Sequence, residues 1–294
     1  MKTYLDCIPC FFEMALQGSR IANTDEKTQK LILDQIAEVI PTLSLESTPP
    51  EMGRIINRII CKATHKNDAY YEIKQKSNKI ALAIYHHLKM KVAHSKDRLL
   101  IAVKLAIAGN IIDYGVNADL DLDLELNKIL KQEESMLEKE DKCFFDFTRF
   151  RSKIIKAIHI LYLGDNAGEI VFDKLLIEEI KSANPKATIT FAVRGKPVIN
   201  DALIEDALFC GLDKLAKVIS SGSDAPGTIL SLCTDDFLKE FTIADLIISK
   251  GQGNFEGLSN VSDRPIFFLL IAKCPVIAKD IGCELGGVNL LYQK

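Results

Sequence analysis

Apolar residues in the first half of the chain recur at the spacing of one helix face. In the segment PCFFEMALQGSRIA, for example, Phe12, Leu16 and Ile21 fall on the same side of a helix. Similar segments continue to about residue 150, and prolines such as Pro41 separate them. The pattern predicts an all-helical domain over residues 1–152, which could be divided into two subdomains near residue 95.

The pattern changes near residue 153, where short runs rich in β-branched residues begin to alternate with amphipathic stretches. The runs are IHILYLG, TITFAVR, KVIS, LIISKG, PIFFLLIA and CPVIAKD. Such alternation is typical of βαβ units, in which helices cover both faces of a parallel sheet. It predicts an α/β domain over residues 153–294, a Rossmann-like three-layer α/β/α arrangement with a mainly parallel sheet. The last two runs lie so close together that they could pair as a hairpin.

Capping residues predict where two of the helices begin. Thr24 precedes two acidic residues, whose charges suit the first turn of a helix. Thr48 stands before Pro49, and proline is common at the first helical position. Helices are therefore predicted to start after Thr24 and after Thr48. A further, highly charged helix is predicted over residues 122–142.

Composition narrows the class of protein. The 294 residues are 48% hydrophobic and 26% charged, as in ordinary soluble globular proteins. The formal net charge of −3 gives no reason to expect nucleic acid or an anionic membrane as a partner. No apolar run approaches the roughly 20 residues of a membrane span, and the N-terminal segment lacks the apolar core of a signal peptide. These features predict a cytoplasmic location with mostly reduced cysteines, and they leave the oligomeric state open.

Polar residues follow each of the first four predicted strands. The clusters are GDNAGE (164–169), RGKP (194–197) with Asn200 and Asp201, SSGSDAPGT (220–228) and SKGQGNFE (249–256). The carboxyl ends of parallel strands meet at one edge of a sheet, which is where ligands bind in open α/β sheets. The four clusters are therefore predicted to share one edge.

The first two clusters contain candidate metal ligands. Asp165, Asn166 and Asp201 offer carboxylate and amide oxygens, which are the hard ligands that Mg²⁺ and Mn²⁺ prefer. A helix starting near Gly168 would direct its N–H groups at an anion in the same place. Arg194 and Lys250 could neutralise phosphate oxygens, and such a site carries out metal-assisted phosphoryl chemistry.

Each signal has a less specific explanation. An Asp-Asn pair at a strand end is more often a turn or a helix cap, and KGQGN on its own could be a flexible turn. Neither GDNAGE nor KGQGN fits a known phosphate-loop or dinucleotide motif. The same edge could also hold a phosphometabolite or nucleotide without hydrolysing it, or could bind S-adenosylmethionine for methyl transfer. Arg194 ends the second strand where a methyltransferase would carry an acid, which favours phosphate.

The ordered motifs GDNAGEIVFD, VRGKPVINDA, SGSDAPGT and DLIISKGQGNFE resemble those of the damage-control phosphatase family, long called domain of unknown function 89. The segments CIPCFF, PPEMGRIINR, NDAYYEIKQKSNKIAL and AIAGNIIDYG resemble its branch with a cysteine pair. The resemblance covers nearly the whole chain. It implies a helical N-terminal part, a Rossmann-like core and a metal-dependent phosphomonoester hydrolase. The implied substrate is a small damaged or overflow phosphometabolite, and the implied cofactor is Mn²⁺, Mg²⁺, Co²⁺ or Ni²⁺.

The resemblance also implies roles for individual residues. Asp165, Asn166 and Asp201 would be the metal ligands, and Asn110 and Lys250 would line the phosphate pocket. An attacking water is favoured over Asp165 as the nucleophile, although the sequence leaves both open. The predicted catalytic residues are Asp165, Asn166 and Lys250, and the predicted substrate-binding residues are Asn110, Glu169, Arg194, Asp224, Gly251 and Asn254.

The Cys7-Ile8-Pro9-Cys10 motif has three interpretations. The two thiols could simply pack in the helical part of the protein. They could form a redox-active pair, because a position at the start of a helix can lower a thiol pKa. They could also bind a metal, although no second pair of this kind supplies the remaining ligands.

Overall fold

A computed structural model describes residues 1–109, 144–261 and 263–294 of the chain. This part contains eleven α-helices and six β-strands, and none of its helices is long and apolar enough to cross a membrane. The helices are α1 (Cys7–Ile21), α2 (Glu26–Val39), α3 (Pro49–Thr64), α4 (Tyr71–Ala93), α5 (Arg98–Ala108), α6 (Phe147–Lys156), α7 (Ile170–Ala183), α8 (Ile204–Phe209), α9 (Asp235–Ile243), α10 (Gln252–Leu258) and α11 (Pro275–Ile281). The strands are β1 (His159–Leu163), β2 (Thr188–Val193), β3 (Lys217–Ser220), β4 (Leu246–Lys250), β5 (Ile266–Ile271) and β6 (Val288–Gln293).

The six strands form one sheet in the order β3-β2-β1-β4-β5-β6. The first five strands are parallel, and β6 is antiparallel to β5. This is the strand order of doubly wound nucleotide-binding sheets. The prediction of a mixed α/β fold with a mainly parallel sheet is therefore confirmed, and the carboxyl ends of β1 to β4 do share one edge.

Alternate residues of each central strand enter two different cores. In β1, Ile160 and Tyr162 pack in a cluster with α4 to α8, whereas Leu161 and Leu163 pack in a second cluster with α9, α10 and α11. Side chains of a strand point alternately to opposite faces, so a strand buried on both faces must be apolar throughout. The protein thus has three layers, with helices on both sides of the sheet.

The division into hydrophobic cores does not coincide with the predicted division of the chain into an N-terminal and a C-terminal domain. Helices α4 and α5 share the core of the sheet's first face, because Leu88 and Val103 belong to the same cluster as Ile160. Helices α1, α2 and α3 have a separate core that includes Phe11 and Ile56. The predicted boundary at residue 152 crosses the shared core, and the division into two domains stays a prediction.

The predicted hairpin at the end of the chain is wrong. CPVIAKD forms helix α11 rather than a strand, and β5 pairs with β6 instead. Cys274 occupies the N-cap position, and Pro275 is the first helical residue, where its missing N–H costs nothing. Ile277 and Ala278 are the buried residues of this helix. In a run of only seven residues, so few buried positions are compatible with a helix as well as with a strand.

The structure confirms one of the predicted caps and corrects the other. The hydroxyl and backbone N–H of Thr48 both contact Glu51, which completes a capping box at the start of α3. Helix α2 is capped by Asp25 rather than Thr24, because the Asp25 carboxylate accepts from the Thr28 N–H. The predicted helix over 122–142 lies outside the described residues.

Candidate active site

The candidate metal ligands lie together at the carboxyl edge of the sheet. Asp165 and Asn166 directly follow β1, and Asp201 lies in the connection after β2. Asn166 and Asp201 form an isolated antiparallel bridge, and the Ala202 N–H donates to the Asp165 carbonyl at 2.8 Å. Backbone pairing between the two loops thus holds the three predicted ligands side by side.

Arg194 is the buried counter-ion of this group. Its Nε donates to Asp201 Oδ2 at 2.5 Å, and its Nη2 lies 3.7 Å from Asp165 Oδ1. The Nη2 also donates to Asn254 Oδ1 at 3.1 Å. Only 2% of the arginine is exposed. The guanidinium group therefore neutralises the site's own carboxylates rather than facing solvent.

A second ion-paired group lies next to the first. Lys250 Nζ donates to Glu169 Oε1 and to Asp173 Oδ1, each at 2.6 Å, and the lysine is completely buried. The Tyr162 hydroxyl donates to the same Asp173 oxygen at 2.8 Å. Asn166 Nδ2 donates to Glu169 Oε2 at 3.2 Å and to Asp165 Oδ2 at 3.1 Å. Hydrogen bonds thus join the Lys250 group to the candidate metal ligands.

These contacts join six buried ionisable side chains, which we call the acidic cluster. Four are carboxylates and two are cations, so the six carry a net charge of −2 when all are ionised. Isolated buried charges are expensive, so an unbalanced cluster favours either an additional positive charge or protonation of a carboxylate. The members of the acidic cluster are Asp165, Glu169, Asp173, Arg194, Asp201 and Lys250.

The pKa values within the acidic cluster reflect this imbalance. Burial raises the pKa of Asp165 well above its usual range, the charges of Glu169 and Asp201 raise it further, and Arg194 opposes them. Burial also raises the pKa of Asp173, to about 6, although Lys250 acts in the opposite direction. Burial alone would lower the pKa of Lys250, but Asp173 and Glu169 outweigh it and raise that pKa.

Gly251 brings the end of β4 into contact with the first predicted ligand. Its φ of +79° lies in the left-handed region, and a Cβ at this position would be 1.9 Å from Asp165 Oδ2. Only glycine fits such a contact without displacing the carboxylate. Gly251 thus lies beside a predicted metal ligand, and its predicted substrate contact stays a prediction.

Asn254 and Asp224, two other predicted substrate-binding residues, are occupied by contacts within the protein. Asn254 is fully buried, donates to the Lys250 carbonyl at 2.7 Å and accepts from Thr228 at 2.8 Å. Asp224 accepts from Arg54 Nε at 2.5 Å and from Arg58 Nη2 at 2.6 Å, so it joins α3 to the loop after β3. No contact joins Asp224 to the acidic cluster among the described residues. Their proposed substrate contacts, and that of Asn110, which lies outside the described residues, stay predictions.

Two backbone N–H groups in the loop before α7 donate within the protein, so they are not available to an anion, and the anion contact predicted for the start of this helix stays a prediction. The Gly168 N–H donates to Asn78 Oδ1 at 2.7 Å, and the Ala167 N–H donates to the Asn200 carbonyl at 3.0 Å. Asn78 is fully buried in α4 and donates in turn to Asp206 Oδ1 at 2.7 Å. A side chain from the N-terminal half therefore caps this loop.

Comparison with known proteins identifies the family. The sequence profile described as "Damage-control phosphatase ARMT1-like domain" matches residues 3–288. The chain belongs to this family. An uncharacterized protein of Methanocaldococcus jannaschii is 38% identical over 303 residues, covering 99% of this chain and 95% of its own. A protein of Pyrococcus horikoshii named damage-control phosphatase is 35% identical and covers 100% of this chain and 99% of its own. One of the same name from Archaeoglobus fulgidus is 33% identical, with 97% of each chain covered.

A solved structure supports the same assignment. The crystal structure of a domain-of-unknown-function-89 family protein from Pyrococcus horikoshii superposes with a TM-score of 0.88. It is 33% identical in sequence, and the match covers 100% of both chains. The family resemblance of the sequence motifs is thereby confirmed.

The oxygen atoms at the site suit a hard cation that takes only some of its ligands from the protein. Within residues 1–109, 144–261 and 263–294, no three His, Cys, Asp or Glu side chains are grouped so that they could hold a metal ion. Beside Asp165 and Asp201, the Asn166 amide oxygen is a further protein donor that a cation could take. Magnesium and manganese sites commonly combine few carboxylates with water and substrate phosphate. The oxygen donors and the net charge of −2 in the acidic cluster fit a divalent ion of this kind.

Sequence reasoning missed three residues that the structure places at the site. Asp173 lies four residues after Glu169 on the same helix face, a signal that the sequence contained. Asn78 lies in a segment that resembles the family, but no local pattern connects it with the Gly168 N–H that it caps, which is 90 residues away. Lys273 follows β5, between the two runs that were expected to pair as a hairpin.

The cysteine pair lies in the first turn of α1. Cys7 and Cys10 are free thiols, and burial is the largest cause that raises the pKa of each. The negative charge of a nearby Cys274 thiolate would raise both pKa values further. A raised pKa disfavours a reactive thiolate, which counts against the redox interpretation, but Cys10 is exposed rather than packed, so the purpose of the pair stays open.

Proposed function

We propose that this chain is a metal-dependent phosphatase that hydrolyses the phosphomonoester of a small phosphorylated metabolite. Membership of the damage-control phosphatase family and the names of two relatives support a phosphatase. The observation that carries the metal dependence is the excess of two carboxylates over cations in the acidic cluster, buried at the carboxyl edge of the sheet. A divalent cation would balance the two excess charges of the ionised cluster, and none of the described side chains in the cluster does so.

Asp165, Asn166 and Asp201 would hold the metal, which we propose to be Mg²⁺, Mn²⁺, Co²⁺ or Ni²⁺. When bound, the metal supplies Lewis-acid polarisation of the phosphoryl group. Arg194 holds Asp201 in place through the 2.5 Å hydrogen bond, so the ligand set is pre-organised. The absence of a side chain at Gly251 leaves room for the Asp165 carboxylate.

Glu169 is the residue that we propose to orient the attacking water. Its Oε1 is fixed by Lys250 and its Oε2 by Asn166, so the carboxylate is held beside the metal ligands. A fixed carboxylate can accept a proton from water within hydrogen-bond reach. Lys250 adds positive charge behind the site, where it would stabilise the negative charge that develops as the P–O bond breaks.

The first experiment is a metal-reconstitution assay on the chelator-treated protein. Hydrolysis of p-nitrophenyl phosphate, and then of a panel of phosphometabolites, is measured with each of the four metals. Activity should return only with added metal. Loss of a residue that only supports a metal ligand typically lowers metal affinity about 10- to 100-fold. Asp165→Asn and Asp201→Asn each change a proposed direct ligand, so the metal affinity of both variants should fall by more than this. Asp236→Asn is the matched control, because the Asp236 side chain is 92% exposed on α9.

The outcomes of this assay separate the possible functions. Full activity without metal, or in Asp165→Asn, would overturn the proposal. Phosphometabolite binding without product release would indicate a binding protein instead. Tight binding of S-adenosylmethionine with no phosphate release would favour methyl transfer.

A further inference from the structure

Asn78 connects the two loops that carry the candidate metal ligands. It lies in α4, and it is completely buried. Its Oδ1 accepts from the Gly168 N–H at 2.7 Å, and Gly168 is the second residue after Asn166. Its Nδ2 donates to Asp206 Oδ1 at 2.7 Å, and Asp206 is the fifth residue after Asp201. One side chain of α4 therefore contacts the chain shortly after each predicted ligand.

The backbone of α4 also packs against the first of these loops. The φ of Gly168 is +80°, and a Cβ at this position would lie 2.9 Å from Ser77 Cβ and 3.0 Å from both atoms of the Ser77 carbonyl group. Only glycine allows the loop to approach α4 so closely. The two ligand loops are joined to each other by the bridge between Asn166 and Asp201. The position of α4 therefore bears directly on the geometry of the ligand loops.

The orientation of the Asn78 amide is fixed by the acidic residue behind it. An ionised carboxylate only accepts hydrogen bonds, so Asp206 must face the NH2 group of Asn78, which leaves the amide oxygen for the N–H group of the ligand loop. Asp206 is itself fully buried, and its Oδ2 accepts from the Leu203 N–H at 2.9 Å. The buried Lys74 Nζ lies 3.8 Å from the same oxygen and 2.7 Å from Asp68 Oδ2. Asn78 is thus held in one orientation by a buried charged group.

We propose that Asn78 is a positioning residue that sets the metal affinity of the site through its hydrogen bonds to Gly168 and Asp206. These bonds fix the placement of the two ligand loops relative to each other. In this role Asn78 contacts the loops, and neither the metal nor the substrate. The inference rests on the proposed metal-dependent function, and it extends the site to a helix in the N-terminal half of the chain.

The experiment titrates metal-free protein with Mn²⁺ alone in a calorimeter. The Mn²⁺ affinity of Asn78→Ala should be about 10- to 100-fold lower than that of the wild type, as is usual when a residue that supports a metal ligand is lost. Asn78→Asp combined with Asp206→Asn keeps the total charge, an acceptor for the Gly168 N–H and an amide donor between the two positions. This double variant should therefore regain most of the affinity. The activity of Asn78→Ala should recover as the Mn²⁺ concentration rises.

Asn184→Ala is the matched control. Asn184 is also a buried asparagine, and its Nδ2 donates to the carbonyls of Ile154 and Ala157 at 2.8 Å each. It lies between α7 and β2, at the edge of the sheet opposite to the site. Its replacement should destabilise the fold but leave the Mn²⁺ affinity unchanged. Thermal unfolding of each variant verifies that it is folded at the temperature of the titration.

The outcomes separate this proposal from the phosphatase function. Wild-type Mn²⁺ affinity in Asn78→Ala would overturn the role of Asn78, as would an equal loss of affinity in Asn184→Ala or a double variant that binds as weakly as Asn78→Ala. Wild-type protein that binds Mn²⁺ but hydrolyses no phosphomonoester would remove the phosphatase function, and the titrations would still decide the role of Asn78. Wild-type protein that binds no Mn²⁺ would overturn that role, whereas activity with another of the four metals would keep the phosphatase function.

Discussion

Replacement of Lys250 by methionine tests whether the acidic cluster is held together by its buried cations. Lys250 is completely buried, and its ammonium group contacts Glu169 and Asp173 at 2.6 Å each. Methionine keeps an unbranched side chain of similar length but removes the charge. Lys250→Met would therefore leave two buried carboxylates without their shared partner, and the net charge of the cluster would change from −2 to −3.

The expected cost follows from this loss. Removal of one partner from a buried ion pair typically destabilises a protein by about 3–5 kcal/mol. Total stabilities are only about 5–15 kcal/mol, so Lys250→Met should weaken the fold severely. For a chain of this size the corresponding decrease in Tm is on the order of 10 °C.

The measurement is urea unfolding followed by circular dichroism at neutral pH in the presence of a chelator. Lys250→Met, Asp173→Asn and the double variant form a double-mutant cycle. The double variant should be more stable than Lys250→Met alone, because one orphaned carboxylate has been removed. Lys89→Met is the matched control, since Lys89 is paired with Glu178 at 2.8 Å but its side chain is 52% exposed. An exposed pair of this kind should cost no more than about 1 kcal/mol.

Two results would refute the reasoning. Lys250→Met could change the free energy of unfolding no more than Lys89→Met does. Alternatively, the effects of Lys250→Met and Asp173→Asn could simply add. Either result would mean that the Lys250 charge does not compensate the buried carboxylates.

Three further predictions concern the surroundings of the site. Gly251→Ala should abolish metal-dependent activity and destabilise the protein by at least about 1–2 kcal/mol, because φ is positive here and the new Cβ would lie 1.9 Å from Asp165 Oδ2. Activity and Tm measurements test this, and wild-type values of both would contradict it. Burial raises the pKa of Glu256 from 4.5 to about 7, so the folded state binds more protons than the unfolded state in this interval. The free energy of unfolding should therefore fall by about 3 kcal/mol as the pH rises from 4.5 to about 7. Glu256→Gln should flatten the profile of Tm against pH, and an equally steep profile in the variant would exclude Glu256 as the cause. Asn78→Ala should cost about 1–3 kcal/mol in urea unfolding, because the buried Gly168 N–H loses its acceptor, and a cost near zero would show that this N–H finds another partner.

Local patterns in the sequence were enough to predict most of the elements. The strands β1 to β4 were found because runs such as His159–Leu163 are apolar on both faces and end in polar turns. The same rule placed Asp165, Asn166 and Asp201 at one sheet edge. It failed for α11, because a run of seven residues that starts with Pro275 contains too little periodicity to separate a helix from a strand.

The sequence by itself determined most of the helices and strands, and which polar residues stand at the strand ends. These properties depend on neighbours within a few residues. Only the tertiary structure decided the strand order and the partners of each buried charge. Lys250 meets Asp173 and Glu169 across 77 and 81 residues of chain, and Asn78 reaches Gly168 across 90. Electrostatic pairing depends on distance in space, so no local pattern could show that Arg194 and Lys250 face the protein's own carboxylates.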